Sequence, residues 1–326
     1  MSHRVSVVIP VRNCEKTLKR LLDSMITQTL KPAEIVVVDD NSTDRTPSIA
    51  LKYPIMLLRK RKRDGPNTCR NIGAECSSGD VIVFTDGDCR PSKNWIESIV
   101  SRIKDVDILV GSAMTDNLDS MISRYLDRSL ISPLQKYTRE TILNGDFKPF
   151  MIVTTNNIAI KREVLDKLGG FDEEYLWYGC DDMDFVYRAL AQGYKVLCSK
   201  EVIIYHYNRT ALRSIINRYF QYGRGFAIFV EKNGRSVYSR SVKLLMLSLV
   251  GWYILLVVLL LTSPLMMLTQ IVGTYVLILS LYIKIKRFSK ETIFYPILDV
   301  LLATSSVLGF FVERIKRILK REHNIY

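Results

Sequence analysis

No C-x-x-C pair occurs in this chain. Its six cysteines (Cys14, Cys69, Cys76, Cys89, Cys180, Cys198) are scattered over 326 residues, which argues against zinc and against a disulfide framework and leaves them reduced and structural. Gly-x-Gly-x-x-Gly and the Walker loop are both absent, so neither a dinucleotide oxidoreductase nor a P-loop nucleotidase is favoured. No internal repeat is evident. No apolar leader is expected ahead of the first strand, because Val5 to Pro10 is too short for one; the bulk of the chain should then stay in the cytoplasm. There, the Asn-x-Ser/Thr patterns at Asn41 and Asn208 carry little meaning. Acids are in the minority: 46 Lys and Arg face 33 Asp and Glu, a net charge of +13. No helix-turn-helix, finger or aromatic RNA-binding signature accompanies that charge, which leaves nucleic acid off the expected partners. The excess fits anionic lipid head groups instead, helped by Arg59-Lys60-Arg61-Lys62-Arg63, for which a solvated basic loop is the competing reading.

What the chain does have is one long uncharged segment. Leu244 to Ile283 runs 40 residues without a charge, about right for two membrane-spanning helices of ~20 residues each, with Ser263-Pro264 as the turn. A third apolar segment, Ile293 to Val312, is interrupted by Pro296 and Asp299; spanning, re-entrant and interfacial placements all fit it. Arg240 and Lys243 precede the first span, and Lys284, Lys286, Arg287 and Lys290 follow the second, so both flanks belong inside. The tail (Arg314, Lys316, Arg317, Lys320, Arg321) is equally basic, and a third crossing would put it outside. The expected organisation is a catalytic domain over residues 1–210, an amphipathic linker over 211–242, a transmembrane hairpin over 243–283, and a basic loop, third segment and tail over 284–326.

Ahead of the linker, strand and helix patterns alternate: Val5 to Pro10, a helix over Glu15 to Thr27, Ile35 to Val38, Ile55 to Leu58, a helix near Thr68 to Cys76, a strand to Thr85, a helix over Lys93 to Ile103 and Ile108 to Val110. This predicts an α/β domain with a doubly wound, mostly parallel sheet. Val81 to Phe84 is continuously apolar, as a strand buried on both faces requires, and it ends in Asp86-Gly87-Asp88. Ligands bind outside the carboxyl ends of such strands, and carboxylates suit Mg²⁺ or Mn²⁺ bridging to a nucleotide's phosphates. Asp-Gly is also an ordinary turn. A second strand-then-acid element, Glu34 to Asp44, favours the site reading, because two such tips can meet at one sheet edge.

Val7-Val8-Ile9-Pro10, Val37-Val38-Asp39-Asp40-Asn41-Ser42-Thr43-Asp44, Cys69-Arg70-Asn71-Ile72-Gly73, Asp86-Gly87-Asp88 and Gly179-Cys180-Asp181-Asp182-Met183-Asp184 fall in the order seen in family 2 glycosyltransferases with the GT-A fold, which the chain resembles over roughly residues 4–225. The resemblance implies an inverting, metal-dependent hexosyltransferase using a nucleotide-diphospho-sugar and Mg²⁺ or Mn²⁺. It implies that Asp40 accepts a hydrogen bond from the base above the backbone of Pro10 and Val11, that Arg70 lies near the nucleotide, that Asp86 lies by the ribose and metal, and that Asp88 is the direct metal ligand. A carboxylate offers only acceptors, which favours a UDP-sugar. Asp181 stands where the family more often has Glu. Asp182 is the expected base, since inversion needs one opposite the leaving diphosphate. The three acids here also suit a helix N-terminus, and Asp184 with Arg188 reads as an i,i+4 ion pair.

Further candidates lie outside these motifs. Asn156 and Asn157 could meet sugar hydroxyls or form a plain turn. His206 could contact the metal or diphosphate or be a structural histidine. From Leu212 onward an amphipathic helix either lies in the membrane interface or packs on the sheet. Within it, Gln221 and Arg224 resemble the start of the Gln-x-x-Arg-Trp element of processive synthases, but Gly225 stands where tryptophan would be, so one sugar per encounter is expected. A membrane-tethered head points to a lipid-linked acceptor. A sugar hydroxyl needs a base whereas a phosphate does not, which favours glycan extension over polyprenyl-phosphate glycosylation. A membrane-anchored nucleotide-sugar binding module without catalysis is the alternative of another class.

Overall fold

The computed structural model describes residues 3–132, 134–148, 151–176, 179–286 and 288–323. The chain runs β1 (Val5–Val11), α1 (Leu18–Ile26), β2 (Glu34–Asp39), α2 (Thr46–Ala50), β3 (Met56–Arg59), α3 (Pro66–Glu75), β4 (Val81–Phe84), β5 (Cys89–Pro91), α4 (Trp95–Arg102), β6 (Ile108–Thr115), α5 (Met121–Arg128), β7 (Thr141–Leu143), β8 (Ile158–Lys161), α6 (Arg162–Leu168), α7 (Asp181–Ala191), β9 (Val196–His206), α8 (Leu212–Lys232), α9 (Val237–Thr262), α10 (Pro264–Lys286) and α11 (Tyr295–His323). It divides into two compact units, Met1–Asn117 with Pro133–Asn208, and Leu118–Ser132 with Arg209–Tyr326.

The first unit holds a nine-stranded sheet in the order β3-β2-β1-β4-β8-β6-β9-β5, with β7 on β9. β1, β2 and β4 are the apolar runs, and every residue of β1 and β4 is buried. The parallel ladders of β1 with β2 and β4 bring Asp39 beside Val11 and Phe84 beside Val8, so the acid tips following β2 and β4 share one edge. The other half mixes directions: β8 runs antiparallel to β4, with Ile158 against Phe84, β6 runs parallel to β9, and His206 at the end of β9 pairs antiparallel with Cys89. The sheet is therefore mixed, with its parallel character concentrated in the N-terminal half. α3 lies close against β1 and β2 because Gly73 has no side chain; a Cβ there would run into Val8 and meet Val38.

In the second unit, α8 and α11 lie side by side and in the same direction. Ser305 and Ser306 donate to the carbonyls of Ile216 and Tyr219 at 2.8 and 3.0 Å. Arg224 pairs with Glu313 at 2.7 Å and Arg317 with Glu231 at 2.8 Å. On α8, Ile215 and Tyr219 join Tyr125, Leu126, Leu298 and Leu302 in a core of this unit. Residues 118–132 belong to it although they lie between strands in sequence. Among the described residues, three helices are long and apolar enough to cross a membrane, but they differ: the apolar windows in Val237–Thr262 and Pro264–Ile285 are each 6% buried, that in Lys290–Lys320 56%.

The α8–α11 approach depends on two glycines. A Cβ on Gly223 would collide with the Ser306 carbonyl, and one on Gly309 with that of Phe220. Gly223→Ala should cost about 1–3 kcal/mol through overpacking, measured as a lowered unfolding midpoint in detergent, while Gly251→Ala, with open space around it, should cost little.

Candidate functional site

The loops that follow β1 and β2 are stitched together by short polar side chains. Asn13 N–H donates to Ser42 Oγ and Thr43 N–H to Asn13 Oδ1, both at 2.9 Å, and Cys14 N–H donates to Thr46 Oγ1 at 2.7 Å. Ser42 serves this junction and also bonds Asp39. Asp44 accepts from the N–H groups of Glu15 and Thr46; burial pushes its pKa up, but these bonds outweigh it and hold the carboxyl below its usual range. Asp40 is buried, its two oxygens accepting from the N–H groups of Asp64 and Gly65 at 2.9 and 3.0 Å. Each oxygen has a second lone-pair direction, so the carboxylate retains acceptor capacity. Val11 contributes its carbonyl to Asp40 N–H, and Pro10 precedes it in the buried strand.

Arg70 is only 4% exposed. Its guanidinium donates to Asn67 Oδ1 and Asp181 Oδ2, each at 2.8 Å, and to Asp86 Oδ1 at 3.1 Å. Burial disfavours its charge, yet Asp86, Asp181 and Asp182 together raise its pKa. One side chain thereby joins α3, the loop after β4 and the start of α7. Asp86 and Asp181, expected at the metal and at the acceptor, are both partners of Arg70.

Asp88 faces β9. Its Oδ1 lies 3.5 Å from His206 Nε2, and Asp88, Cys89 and His206 each place a potential ligand atom within 4.8 Å of the others. Cys89 is buried, and that burial, with Asp88 and Asp86 adding to it, pushes its thiol well above the ordinary range. A carboxylate oxygen and an imidazole nitrogen remain as the fitting pair, a donor set that suits Mn²⁺ or Mg²⁺ completed by phosphate oxygens and water.

The acids of α7 divide by partner. Asp184 accepts from Tyr175 Oη at 3.2 Å and from Arg188 Nε at 2.8 Å, the i,i+4 pair. Asp181 belongs to Arg70. Asp182 is half-buried, and its Oδ1 accepts from Met183 N–H at 2.8 Å. It also lies near enough to Tyr137 to act on that phenol, whose pKa burial drives well up, with Cys198 and Asp182 contributing. Tyr137 carries no signal in the sequence. Trp177 and Tyr178, which precede these acids, lie outside the described residues.

Asn157 is 1% exposed and fully engaged: it donates to the carbonyls of Ser112 and Val202, both at 2.9 Å, and accepts from Trp95 Nε1 at 2.9 Å. Its amide ties β6 and β9 to α4 rather than facing a sugar. Asn156 is buried and bonded to Thr154 and Gln135. Gln221 and Arg224 belong to the helical unit, where Arg224 serves Glu313.

Comparison with known proteins follows the same lines. The model of Glycosyl transferase family 2 matches residues 6–169, and that of the N-terminal domain of galactosyltransferase matches residues 152–211. Glycosyltransferase AglE of Haloferax volcanii is 27% identical over 232 residues, covering 68% of this chain and 72% of the relative. Pre-mycofactocin glycosyltransferase of Mycobacterium tuberculosis is 29% identical over 230 residues, covering 68% of this chain but only 47% of the relative. Among solved structures, the mannosyltransferase PcManGT from Pyrobaculum calidifontis, in complex with GDP-Man and Mn2+, aligns with a TM-score of 0.66 at 20% identity over 95% of this chain and 88% of its own. S. aureus TarS 1-349 in complex with UDP-GlcNAc aligns with a TM-score of 0.53 at 17% identity over 96% and 91%. At these identities the structures establish the GT-A fold.

Arg70→Met would leave Asp181, 7% exposed, without its cation; loss of one partner from a buried pair costs about 3–5 kcal/mol, to be read by urea denaturation. Arg70→Lys should recover only part, because an ammonium cannot reproduce the guanidinium fork.

Proposed function

Because the chain belongs to glycosyltransferase family 2, we propose that it is an inverting enzyme that moves one sugar from a nucleotide-diphospho-sugar, favouring UDP, to a hydroxyl of a lipid-linked glycan at the cytoplasmic membrane face. The observation that carries this reading is the Arg70 bridge, which holds Asp86 and Asp181 on one guanidinium and so ties the loop bearing Asp88 to the helix bearing Asp182.

In this reading the base rests over Pro10 and Val11 and donates an N–H to Asp40. Asp88 and His206 would hold a divalent cation, which when bound would neutralise charge on the departing diphosphate. Asp182 accepts the proton of the acceptor hydroxyl as that oxygen bonds to the anomeric carbon and the bond to the diphosphate breaks on the opposite face. Arg70 holds Asp181 in place through a hydrogen bond of 2.8 Å, so the neighbouring carboxylate stays oriented.

The membrane part is a two-span hairpin of α9 and α10. α11 packs one side against α8 and exposes Ile297, Leu301, Leu308, Phe311 and Val312 elsewhere; in this reading those side chains lie at the membrane interface, and the basic tail remains on the same side as the basic flanks of the hairpin.

Asp182→Asn should lower transfer by at least ~10²-fold, as loss of a general base does, while leaving nucleotide affinity unchanged by calorimetry. A mutant that transfers normally would favour the second reading, a phosphate acceptor already ionised, and mass spectrometry of the lipid product would then find a monosaccharide on a polyprenyl phosphate. Nucleotide binding without turnover in the wild type would favour the non-catalytic module.

A further inference from the structure

The two ring nitrogens of His206 meet different neighbours. Nε2 faces Asp88 Oδ1 at 3.5 Å, and Nδ1 lies 2.9 Å from Asn208 Oδ1. Which nitrogen carries the proton follows from what the other side accepts or donates. The Asn208 amide is oriented by a bond of its own, Nδ2 donating to Thr115 Oγ1 at 3.1 Å, which turns its oxygen to the imidazole. An acceptor at Nδ1 requires the proton there and leaves the Nε2 lone pair directed at Asp88.

Asn208 is itself clamped. Its N–H donates to Asn117 Oδ1 at 2.7 Å, and Asn117 Nδ2 donates to the Asn208 carbonyl at 2.9 Å. The two residues are 2% and 5% exposed. A pair of buried asparagines is thus spent on the backbone and amide that meet one histidine. On the other side of the ring the 3.5 Å gap to Asp88 exceeds the ~2.7–2.9 Å of a charge-assisted hydrogen bond, so the two groups are adjacent without being joined directly.

We propose that Asn208, clamped by Asn117 and oriented by Thr115, is a positioning residue that fixes His206 in its Nδ1–H tautomer and sets Nε2 to share a divalent cation with Asp88. This rests on Asp88 and His206 being the cation's ligands. Residues that hold a ligating histidine in this way are worth 10–100-fold in metal affinity when removed.

The test is the Mn²⁺ dissociation constant of the full-length protein, read by the electron paramagnetic resonance of free Mn²⁺ and so independent of turnover. Asn208→Leu should weaken Mn²⁺ binding about 10–100-fold, whereas Asn208→Asp, whose carboxylate accepts the same N–H and can accept from Thr115, should stay within about threefold. Asn117→Ser, which leaves the Asn208 amide in place, should give a smaller loss in the same direction and serves if Asn208→Leu does not fold. In a His206→Ala background, Asn208→Leu should cost nothing more, since residues acting through one another are not additive. Wild-type affinity in Asn208→Leu, or losses that add to that of His206→Ala, would overturn the positioning role. Unchanged Mn²⁺ affinity in His206→Ala alone would instead remove the ligand assignment beneath it, and the inference with it.

Discussion

One buried guanidinium organises the catalytic half of this protein. Removing an ion from water costs several kcal/mol even after relaxation, and the cost is recovered only where partners are close and well oriented. Arg70 is deep because Gly73, three residues on, lets α3 settle onto β1 and β2. Once there, it needs carboxylates, and it takes them from two places far apart in sequence, Asp86 and Asp181. The requirement to satisfy a single charge therefore ties the loop after β4 to the start of α7.

Much of this was legible in the sequence, and the reasons are physical. Strands buried on both faces must be continuously apolar, so Val5–Val11, Glu34–Asp39 and Val81–Phe84 announced themselves, and the acids at their ends pointed to one edge of the sheet. The pairings across the antiparallel half were not legible. β5 and β7 are three residues long, too short to show periodicity, and only the ladder between β5 and β9 brings His206 to Cys89. Side-chain commitments were equally hidden: an asparagine such as Asn157 reads the same in sequence whether it meets a ligand or, as here, closes a gap between β6, β9 and Trp95. Asn208 stood out only as part of an Asn-x-Thr pattern, which has nothing to do with its place beside His206.

The helical half shows the limits of hydropathy in another way. Three segments look alike by length and apolar content, but the chemistry of their flanks and faces separates them. α9 and α10 expose apolar residues along most of their length, as lipid-facing helices do, while Val242, Met246 and Tyr282 are buried. α11 carries small and charged residues along one side, and these meet the glycine, carbonyls and Arg224 of α8.

The most direct measurement is release of nucleoside diphosphate by the purified, detergent-solubilised protein from a panel of UDP-, GDP- and dTDP-sugars, with and without Mn²⁺, a membrane lipid extract supplying the acceptor. The account predicts release from one donor, a UDP-sugar, that depends on Mn²⁺, is stimulated by the lipid extract and disappears in Asp88→Ala. A folded protein that releases nothing from any donor with a competent extract, or whose release is indifferent to Mn²⁺ and to Asp88→Ala, would contradict it.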